Sequence, residues 1–256
     1  MKIMTYGDPH GEWWILGDAV ERDEPDLIIL LGDMDLDEPL DQKLKKIIPE
    51  YIDRIYWIPG NHDYDSEDMH DYLFNNSLSD HNLHGKVVDI NGVKIAGLGG
   101  VFQQNIWHPQ TGIKFKTKQQ WLDRYSFNLK NNRWRGGLPR GCRSAIWLDD
   151  YNSLSEQEAD ILITHEAPST MGIKGFDELD LLADVMGVKA IIHGHHHEEY
   201  QNNINIKDKN GQIIKKIFVM GTAKNTAKLL PINTIPKSKA KPKPKPKPKK
   251  RKGRGP

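Results

Sequence analysis

Apolar and polar residues follow one another along this 256-residue chain in blocks whose lengths suit strands and helices. Short continuous apolar runs are typical of strands covered on both faces. They predict strands at residues 2–6, 26–31, 55–58, 159–164, 189–193 and 217–220, and the last run is expected to be the final strand. Apolar residues three and four apart predict helices at residues 13–22, 40–48 and 179–186, whereas residues 66–76 are predicted to be a helix or a loop.

Two Asn-Gly pairs, at residues 91–92 and 210–211, predict hairpins in addition. Elsewhere, strands alternate with helices and the connections are short. This order indicates βαβ units and a largely parallel sheet, so we expect a fold of the α/β class.

Residues 101–151 interrupt this alternation and are predicted to be an insertion. The segment has poor periodicity, and it is rich in two residue types: Trp107, Trp121, Trp134, Trp147, Arg124, Arg133, Arg135, Arg140 and Arg143. Two interpretations are open. In the first, the segment is a lid whose arginines meet substrate phosphate and whose tryptophans stack on bases. In the second, the tryptophans form a small core of the insertion itself.

The charge of the chain is divided between an acidic body and a basic tail. The chain has 36 Lys and Arg and 35 Asp and Glu. Eleven of the basic residues and none of the acids lie in residues 237–256, which leaves a balance of −10 over residues 1–236. Lys and Pro alternate in the tail, so we expect it to be extended and disordered. Its charge favours contact with nucleic acid through counterion release. Alternatively, it is a solubilising tail, or it folds back onto the acidic body.

Some classes of protein are disfavoured by the composition. No apolar run is long enough to cross a membrane, and the N-terminal residues are too few and too quickly polar for a signal peptide. The single cysteine, Cys142, excludes an internal disulfide and a thiolate metal cluster within one chain. We therefore expect a cytoplasmic location and no membrane partner.

The motif Gly60-Asn61-His62-Asp63 follows the predicted strand 55–58. A Pro-Gly pair ends that strand at a sharp turn, and ligands bind at such strand ends in α/β sheets. Asn61 offers an amide oxygen, His62 an imidazole and Asp63 a carboxylate that could orient the imidazole. Taken alone, the motif could also be a turn with incidental polar residues.

Four other predicted strand ends carry similar chemistry, with Asp8 and His10, with Asp33, with His165, and with His195 and His197. Asp8 and His10 alone could also be an N-cap and a surface residue. Because parallel strands deliver their C-terminal ends to one edge, all these groups can converge. Carboxylates, imidazoles and an amide oxygen suit manganese, iron, zinc, cobalt or nickel. Seven ligands are too many for one ion, but they suffice for two ions if one carboxylate bridges.

In this order, the motifs resemble those of the calcineurin-like metallophosphoesterase superfamily: Asp8-Pro9-His10, Gly32-Asp33, Gly60-Asn61-His62-Asp63, His165 and Gly194-His195-His196-His197. The resemblance covers residues 1 to about 225. It implies a two-layer mixed β sandwich flanked by helices, here predicted as one domain over residues 1–236. It also implies two divalent metal ions, for which manganese is expected and iron, zinc, nickel and cobalt are alternatives.

The resemblance also implies a role for each site residue. The implied ligands of one ion are Asp8, His10 and His197, those of the other are Asn61, His165 and His195, and Asp33 bridges the two ions. His62 would be the catalytic histidine, which binds no metal. From the chemistry of proton transfer, it would stabilise or protonate the leaving oxygen, with Asp63 as a candidate orienting partner. His196 is left out of the ligand set because neighbours in an extended segment face opposite ways.

The sequence departs from the phosphoprotein phosphatase branch of the superfamily. That branch has Asp-Arg-Gly after its Gly-Asp block and Glu after Gly-Asn-His, whereas here Asp33 precedes Met34-Asp35-Leu36 and the second motif ends in Asp63. The implied activity is hydrolysis of a phosphate ester by metal-activated hydroxide, with a nucleotide or nucleic-acid phosphodiester as the expected substrate. The alternative is a non-catalytic metal-binding scaffold that contacts nucleic acid or a protein partner through its basic tail.

Overall fold

Two β-sheets pack face to face, and helices cover the outer side of each sheet. The computed structural model describes residues 1–125 and 133–231. The strands are β1 (Ile3–Gly7), β2 (Leu27–Leu30), β3 (Ile55–Trp57), β4 (Lys86–Ile90), β5 (Val93–Leu98), β6 (Trp107–His108), β7 (Gly112–Ile113), β8 (Ile161–Thr164), β9 (Ala190–His193), β10 (Tyr200–Lys207), β11 (Ile213–Gly221) and β12 (Thr226–Leu229). The helices are α1 (Trp14–Asp23), α2 (Leu40–Ile47), α3 (Glu67–Phe74), α4 (Lys118–Arg124), α5 (Arg140–Arg143), α6 (Leu148–Ser155) and α7 (Asp177–Val185). The predicted disorder of the basic tail concerns residues outside this description.

The first sheet has the strand order β12-β1-β2-β3 and the second has the order β10-β11-β9-β8-β5-β4. The inner strands of each sheet run parallel, whereas β12, β10 and β4 pair antiparallel at the edges. This arrangement confirms the predicted mixed β sandwich flanked by helices. It also delivers the C-terminal ends of β1, β2, β3, β8 and β9 to one end of the molecule.

The apolar runs are continuous because each inner strand is covered on both faces. In β2, Leu27 and Ile29 pack in the core between the two sheets. Their neighbours Ile28 and Leu30 belong instead to the core beneath α1 and α2. Side chains alternate between the faces of a strand, so burial on both faces requires an apolar residue at every position.

The insertion packs on the outer face of the second sheet. Trp107, Trp121 and Trp147 are buried, and they share one hydrophobic core with sheet residues such as Leu98 and Leu162. The base-stacking interpretation is therefore wrong for these three tryptophans. They do lie in a core, but that core is continuous with the sheet and is not confined to the insertion.

One strand departs from the sequence prediction. Residues 217–220 belong to β11, and they are followed by a further strand, β12, so the expectation that they form the final strand is wrong. β12 pairs antiparallel with β1, from Met4 opposite Leu229 to Gly7 opposite Thr226. Its side chains are half-buried or exposed, so it lacks the apolar run on which the prediction rested. Both predicted hairpins form, as β4–β5 and β10–β11. Within residues 1–125 and 133–231, no helix is both long and apolar enough to cross a membrane.

Asp150 of the insertion contacts Lys118 of the same segment and His84 of the body. Its carboxylate lies 2.8 Å from Nζ of Lys118 and 3.4 Å from Nε2 of His84. Burial opposes ionisation of Asp150, but His84 and Lys118 outweigh it and lower its pKa to about 2. Unfolded aspartate has a pKa of about 3.9, so this group stabilises the fold above about pH 4, and the contribution is lost as pH falls towards 2.

We therefore expect Asp150→Asn to lower the free energy of unfolding by about 1–2 kcal/mol at pH 7, and by less as the pH approaches 3. Urea unfolding at pH 7, 5 and 3.5 measures this difference. Asp123→Asn, which alters an exposed carboxylate on α4, serves as the control. An effect of Asp150→Asn that is independent of pH would contradict an electrostatic role.

Candidate active site

The loops that follow five strands meet at one end of the sandwich. β1, β2 and β3 of the first sheet lead to these loops, as do β8 and β9 of the second. The loops bring together all seven side chains predicted as metal ligands: Asp8, His10, Asp33, Asn61, His165, His195 and His197. Distances between their donor atoms divide them into two groups that share Asp33.

The first group lies between β1 and the loop after β9. Nε2 of His10 is 3.3 Å from Nε2 of His197 and 3.9 Å from Oδ2 of Asp33. Nε2 of His197 is in turn 3.8 Å from Oδ2 of Asp8. Nitrogen and oxygen ligands lie about 2.0–2.2 Å from a bound zinc ion, so two ligands of one such ion are at most about 4.4 Å apart. All three separations meet this limit.

The second group surrounds His165, which follows β8. Its Nε2 is 3.3 Å from Oδ2 of Asp33 and 3.2 Å from Oδ1 of Asn61. The ring centres of His165 and His195 are 4.9 Å apart. Asp33, His165 and His195 each offer one ligand atom, and these three atoms lie within 4.8 Å of one another. Oδ2 of Asp33 therefore faces both groups.

Hydrogen bonds on the far side of two imidazoles leave the opposite nitrogen available for a metal. Nδ1 of His165 donates to the main-chain oxygen of Leu31 at 2.7 Å, since a carbonyl can only accept. Nδ1 of His10 pairs with Oδ2 of Asp35 at 3.2 Å. A histidine binds a metal ion in its neutral form, and in that form Nε2 of each ring is the unprotonated nitrogen and faces the other ligands.

The backbone of the site is held in an unfavourable conformation. Five of the predicted ligands have positive φ angles: Asp8 (37°), His10 (41°), Asp33 (53°), His195 (67°) and His197 (58°). Such a conformation costs of order 1–3 kcal/mol for a non-glycine residue and persists only where surrounding contacts impose it. These φ angles lower the stability of the fold and fix the direction of the five side chains, as expected of a functional site.

Glycine at positions 32, 60 and 194 leaves space for ligand side chains from other strands. A Cβ atom on Gly60 would overlap Oδ1 of Asp33, and one on Gly194 would lie 2.7 Å from Oδ1 of Asp8. A Cβ on Gly32 would lie 2.8 Å from Nδ1 of His165. The glycine that precedes each of these motifs is thus required by close packing against a ligand of a different strand.

Buried carboxylates make the site strongly attractive to cations. Both carboxylate oxygens of Asp8 are buried, and neither has a hydrogen-bond partner among the residues that the structure describes. Burial raises the pKa of Asp8 to about 6, although the His165 ring opposes this. Burial lowers the pKa of His165, but the carboxylates of Asp33 and Asp8 outweigh it and raise this pKa to about 10. Unpaired buried oxygens beside several imidazoles are the donor set that a divalent metal ion requires, so the residues fit such ions.

His62 differs from the ligands in its exposure. Its side chain is 48% exposed, whereas those of Asp33 and His165 are 2% and 0% exposed. Its main-chain N–H donates to Oδ1 of Asp33 at 2.8 Å, which holds the residue beside the ligands. The ring is thus adjacent to the buried ligands and open to solvent.

The carboxylate that contacts the His62 ring is that of Asp65, and the expectation that Asp63 is its orienting partner is wrong. Nδ1 of His62 is 2.7 Å from Oδ2 of Asp65, and this hydrogen bond raises the pKa of the imidazole. The Asp63 carboxylate is buried and accepts three main-chain N–H groups, from Asp33 at 3.0 Å, Met34 at 2.8 Å and Gly60 at 2.7 Å. Asp63 therefore ties the loop after β2 to the loop after β3.

Three acidic residues of the site were not identified from the sequence: Asp35, Asp65 and Glu166. Asp65 lies three residues after His62, a spacing that places two side chains on one side of a helical turn. Glu166 is buried, accepts the main-chain N–H of Phe102, and has Oε1 3.3 Å from Nε2 of His196. His196 thus faces Glu166, a contact that the alternation of residues 195–197 does not reveal.

The chain is similar in sequence and in fold to known proteins. The profile of the calcineurin-like phosphoesterase family matches residues 1–199 of the chain. An uncharacterized protein of Haemophilus influenzae is 38% identical over 200 residues, which cover 77% of this chain and 84% of that protein. The crystal structure of TT1561 of Thermus thermophilus has a TM-score of 0.50 and 14% identity, over 90% of this chain and 97% of that one. At that identity, the likeness to TT1561 concerns the fold alone.

Proposed function

Because this chain belongs to the calcineurin-like phosphoesterase family, and is therefore a metal-dependent hydrolase of phosphoric ester bonds, we propose that it uses two divalent cations to cleave a nucleotide or nucleic-acid phosphodiester. One observation carries the proposal. Seven donors from five strand ends form two groups that share Oδ2 of Asp33. A shared carboxylate between two donor groups is the arrangement that a pair of ions needs.

The proposed roles of the ligands follow from these two groups. Asp8, His10 and His197 would hold one cation, Asn61, His165 and His195 would hold the other, and Asp33 would bridge them. We propose manganese as the native ion because carboxylate, amide and imidazole donors suit it, with iron, zinc, nickel and cobalt as alternatives. When bound, such a pair of cations activates water and neutralises phosphate oxygens.

His62 would act on the leaving group. Its ring is exposed beside the ligands, and Asp65 holds Nδ1, so Nε2 is directed away from that carboxylate. An imidazole oriented in this way can donate a proton to the departing oxygen. Asp63 would act indirectly, through the three main-chain N–H groups that it holds in place.

The proposed function is tested by metal analysis and a chromogenic assay on the same preparation. The Mn²⁺-loaded protein is expected to contain two ions per chain and to hydrolyse bis(p-nitrophenyl) phosphate. Chelation should abolish the hydrolysis, and added Mn²⁺ should restore it. A stable protein that binds metal without hydrolysing this diester, p-nitrophenyl phosphate or any dinucleotide would favour the non-catalytic scaffold instead.

We expect His62→Ala to lower turnover by about 10²–10⁴-fold while the metal content stays near that of the native chain, because the ring supplies proton transfer and no ligand. Asp65→Asn should lower turnover less, by about tenfold, because the ring remains but loses its charged acceptor. Turnover and metal content per chain are measured for both variants. Asp68→Asn changes an exposed acid three residues further on and serves as the control. Loss of both ions in His62→Ala would show that His62 is a ligand.

The basic tail favours a second property, contact with nucleic acid. Eleven positive charges without an acid in residues 237–256 support binding to a polyanion. If so, the full chain should bind DNA or RNA about tenfold or more tightly than a chain ending at Pro236, and the difference should shrink at high salt. Equal affinity of the two chains for DNA and RNA, at low and at high salt concentration, would contradict this proposal. A cytoplasmic location, suggested by the single buried cysteine, is part of the same proposal.

A further inference from the structure

Arg140 places part of the insertion directly beside the proposed catalytic histidine. It is the first residue of α5, and its Nη1 donates to the main-chain oxygen of Asp65 at 3.0 Å. The side chain of the same Asp65 binds Nδ1 of His62 at 2.7 Å. A single residue therefore separates the Arg140 guanidinium from the His62 ring, on the exposed side of the site.

The neighbouring arginines of the insertion are already engaged. Arg135 makes two hydrogen bonds to the carboxylate of Asp71, at 2.6 and 2.8 Å, and its guanidinium carbon lies 4.4 Å from the centre of the Trp134 ring. Arg143 lies over the same ring at 4.7 Å and donates to the main-chain oxygen of Leu138. The Arg135 guanidinium thus joins the insertion to α3, and the Arg143 guanidinium packs within the insertion.

Arg140 is different, because among the described residues it lies over no aromatic ring, and the one main-chain oxygen that it contacts satisfies only one of the five N–H donors of its guanidinium. No carboxylate of the described residues lies within 4.0 Å of it, and residues 126–132 and 232–256 contain no Asp or Glu. A guanidinium recognises phosphate or carboxylate through two parallel hydrogen bonds. An arginine fixed by one N–H, with the others available beside an active site, is suited to receive an anion.

We propose that Arg140 binds a second anionic group of the substrate, on the side of His62 where the leaving group departs. The inference rests on the proposed function, because it is the role of His62 that defines this side. It specifies a class of substrate: a phosphate ester whose departing part carries a further phosphate or carboxylate. A nucleic-acid strand or a nucleoside bisphosphate belongs to this class, whereas a simple nucleoside monophosphate does not.

The test compares two ligands that differ by one phosphate. Dissociation constants of thymidine 5′-monophosphate and thymidine 3′,5′-bisphosphate are measured by calorimetry on Mn²⁺-loaded protein, and as inhibition constants against bis(p-nitrophenyl) phosphate. The native chain should prefer the bisphosphate by about tenfold or more. Arg140→Gln should reduce this preference to about twofold or less, and Arg140→Lys should retain part of it, because lysine keeps the charge but loses the fork.

General damage to the site would change both dissociation constants by a similar factor, because both ligands use the same metal-binding residues. Their ratio would therefore stay the same. Arg54→Gln removes the same charge from an exposed arginine immediately before β3, at the opposite end of that strand from the site, and should leave the ratio unchanged. A native chain without preference, or a preference that survives in Arg140→Gln, would overturn the inference. Absence of diester hydrolysis by the native chain would overturn the proposed function instead, and calorimetry would still decide the role of Arg140.

Discussion

Asp33→Asn is expected to abolish metal-dependent hydrolysis, with a loss of about 10³-fold or more, and to remove bound metal. Asp33 faces both donor groups with a single oxygen, since its Oδ2 lies 3.9 Å from Nε2 of His10 and 3.3 Å from Nε2 of His165. Asparagine has nearly the same shape, but it lacks the negative charge and one acceptor oxygen. Both ions would therefore lose their shared ligand while the fold keeps its packing.

Turnover of bis(p-nitrophenyl) phosphate and metal content per chain are measured on the same preparation, together with the thermal unfolding temperature. Asp41→Asn is the matched control, because Asp41 is also a buried carboxylate but belongs to α2 and bonds Lys45 and Ser77. If Asp33→Asn kept the turnover of the native chain, the proposed bridging role of Asp33 would be wrong. An equal loss in both variants would show a general effect of removing a buried acid.

Gly60→Ala is expected to lower turnover by about 10²-fold or more, although alanine has no polar group and the position lies outside the ligand set. The added Cβ would overlap Oδ1 of Asp33 and would lie 2.6 Å from Cε1 of His165. Folded proteins do not accommodate such contacts, so the loop after β3 must move away from both ligands. An ångström of displacement is sufficient to misalign His62, which Oδ1 of Asp33 holds by its main-chain N–H.

Kinetics and metal titration separate the two consequences of this substitution, a lower turnover and a weaker affinity for the ions. Gly141→Ala in α5 provides the control, because a Cβ atom there would meet nothing within 4 Å. A fully active Gly60→Ala protein would show that the loop relaxes without disturbing Asp33. It would then follow that the close approach of Gly60 is a matter of packing only.

Much of the fold could be predicted because burial on both faces leaves a readable pattern. Strands β2 and β9 are continuous apolar runs, and glycine and a polar residue mark the end of each. β12 could not be predicted in the same way. It is an edge strand with half-buried and exposed side chains, and it is held by main-chain pairing to β1, which depends on hydrogen bonds rather than on side-chain type.

Predictions about the direction of side chains were less successful within the loops. Alternation along a strand predicts which face a residue occupies, but Asp8, His10, Asp33, His195 and His197 have positive φ angles and do not continue the strand geometry. Residues 62–64 form a short 3₁₀ helix. As a result, Asp63 turns inward to main-chain N–H groups, and Asp65 reaches the His62 ring.

The motif Gly60-Asn61-His62-Asp63 has some properties that follow from the sequence and others that only the tertiary structure determines. The amino-acid sequence alone determines that an amide, an imidazole and a carboxylate follow a buried strand, and that four other strand ends carry similar donors. The tertiary structure decides their partners, because hydrogen bonds, positive φ angles and close contacts join residues far apart in the chain. It places Asp33 between two donor groups, pairs Asp65 with His62, and brings Arg140 of the insertion to the same loop.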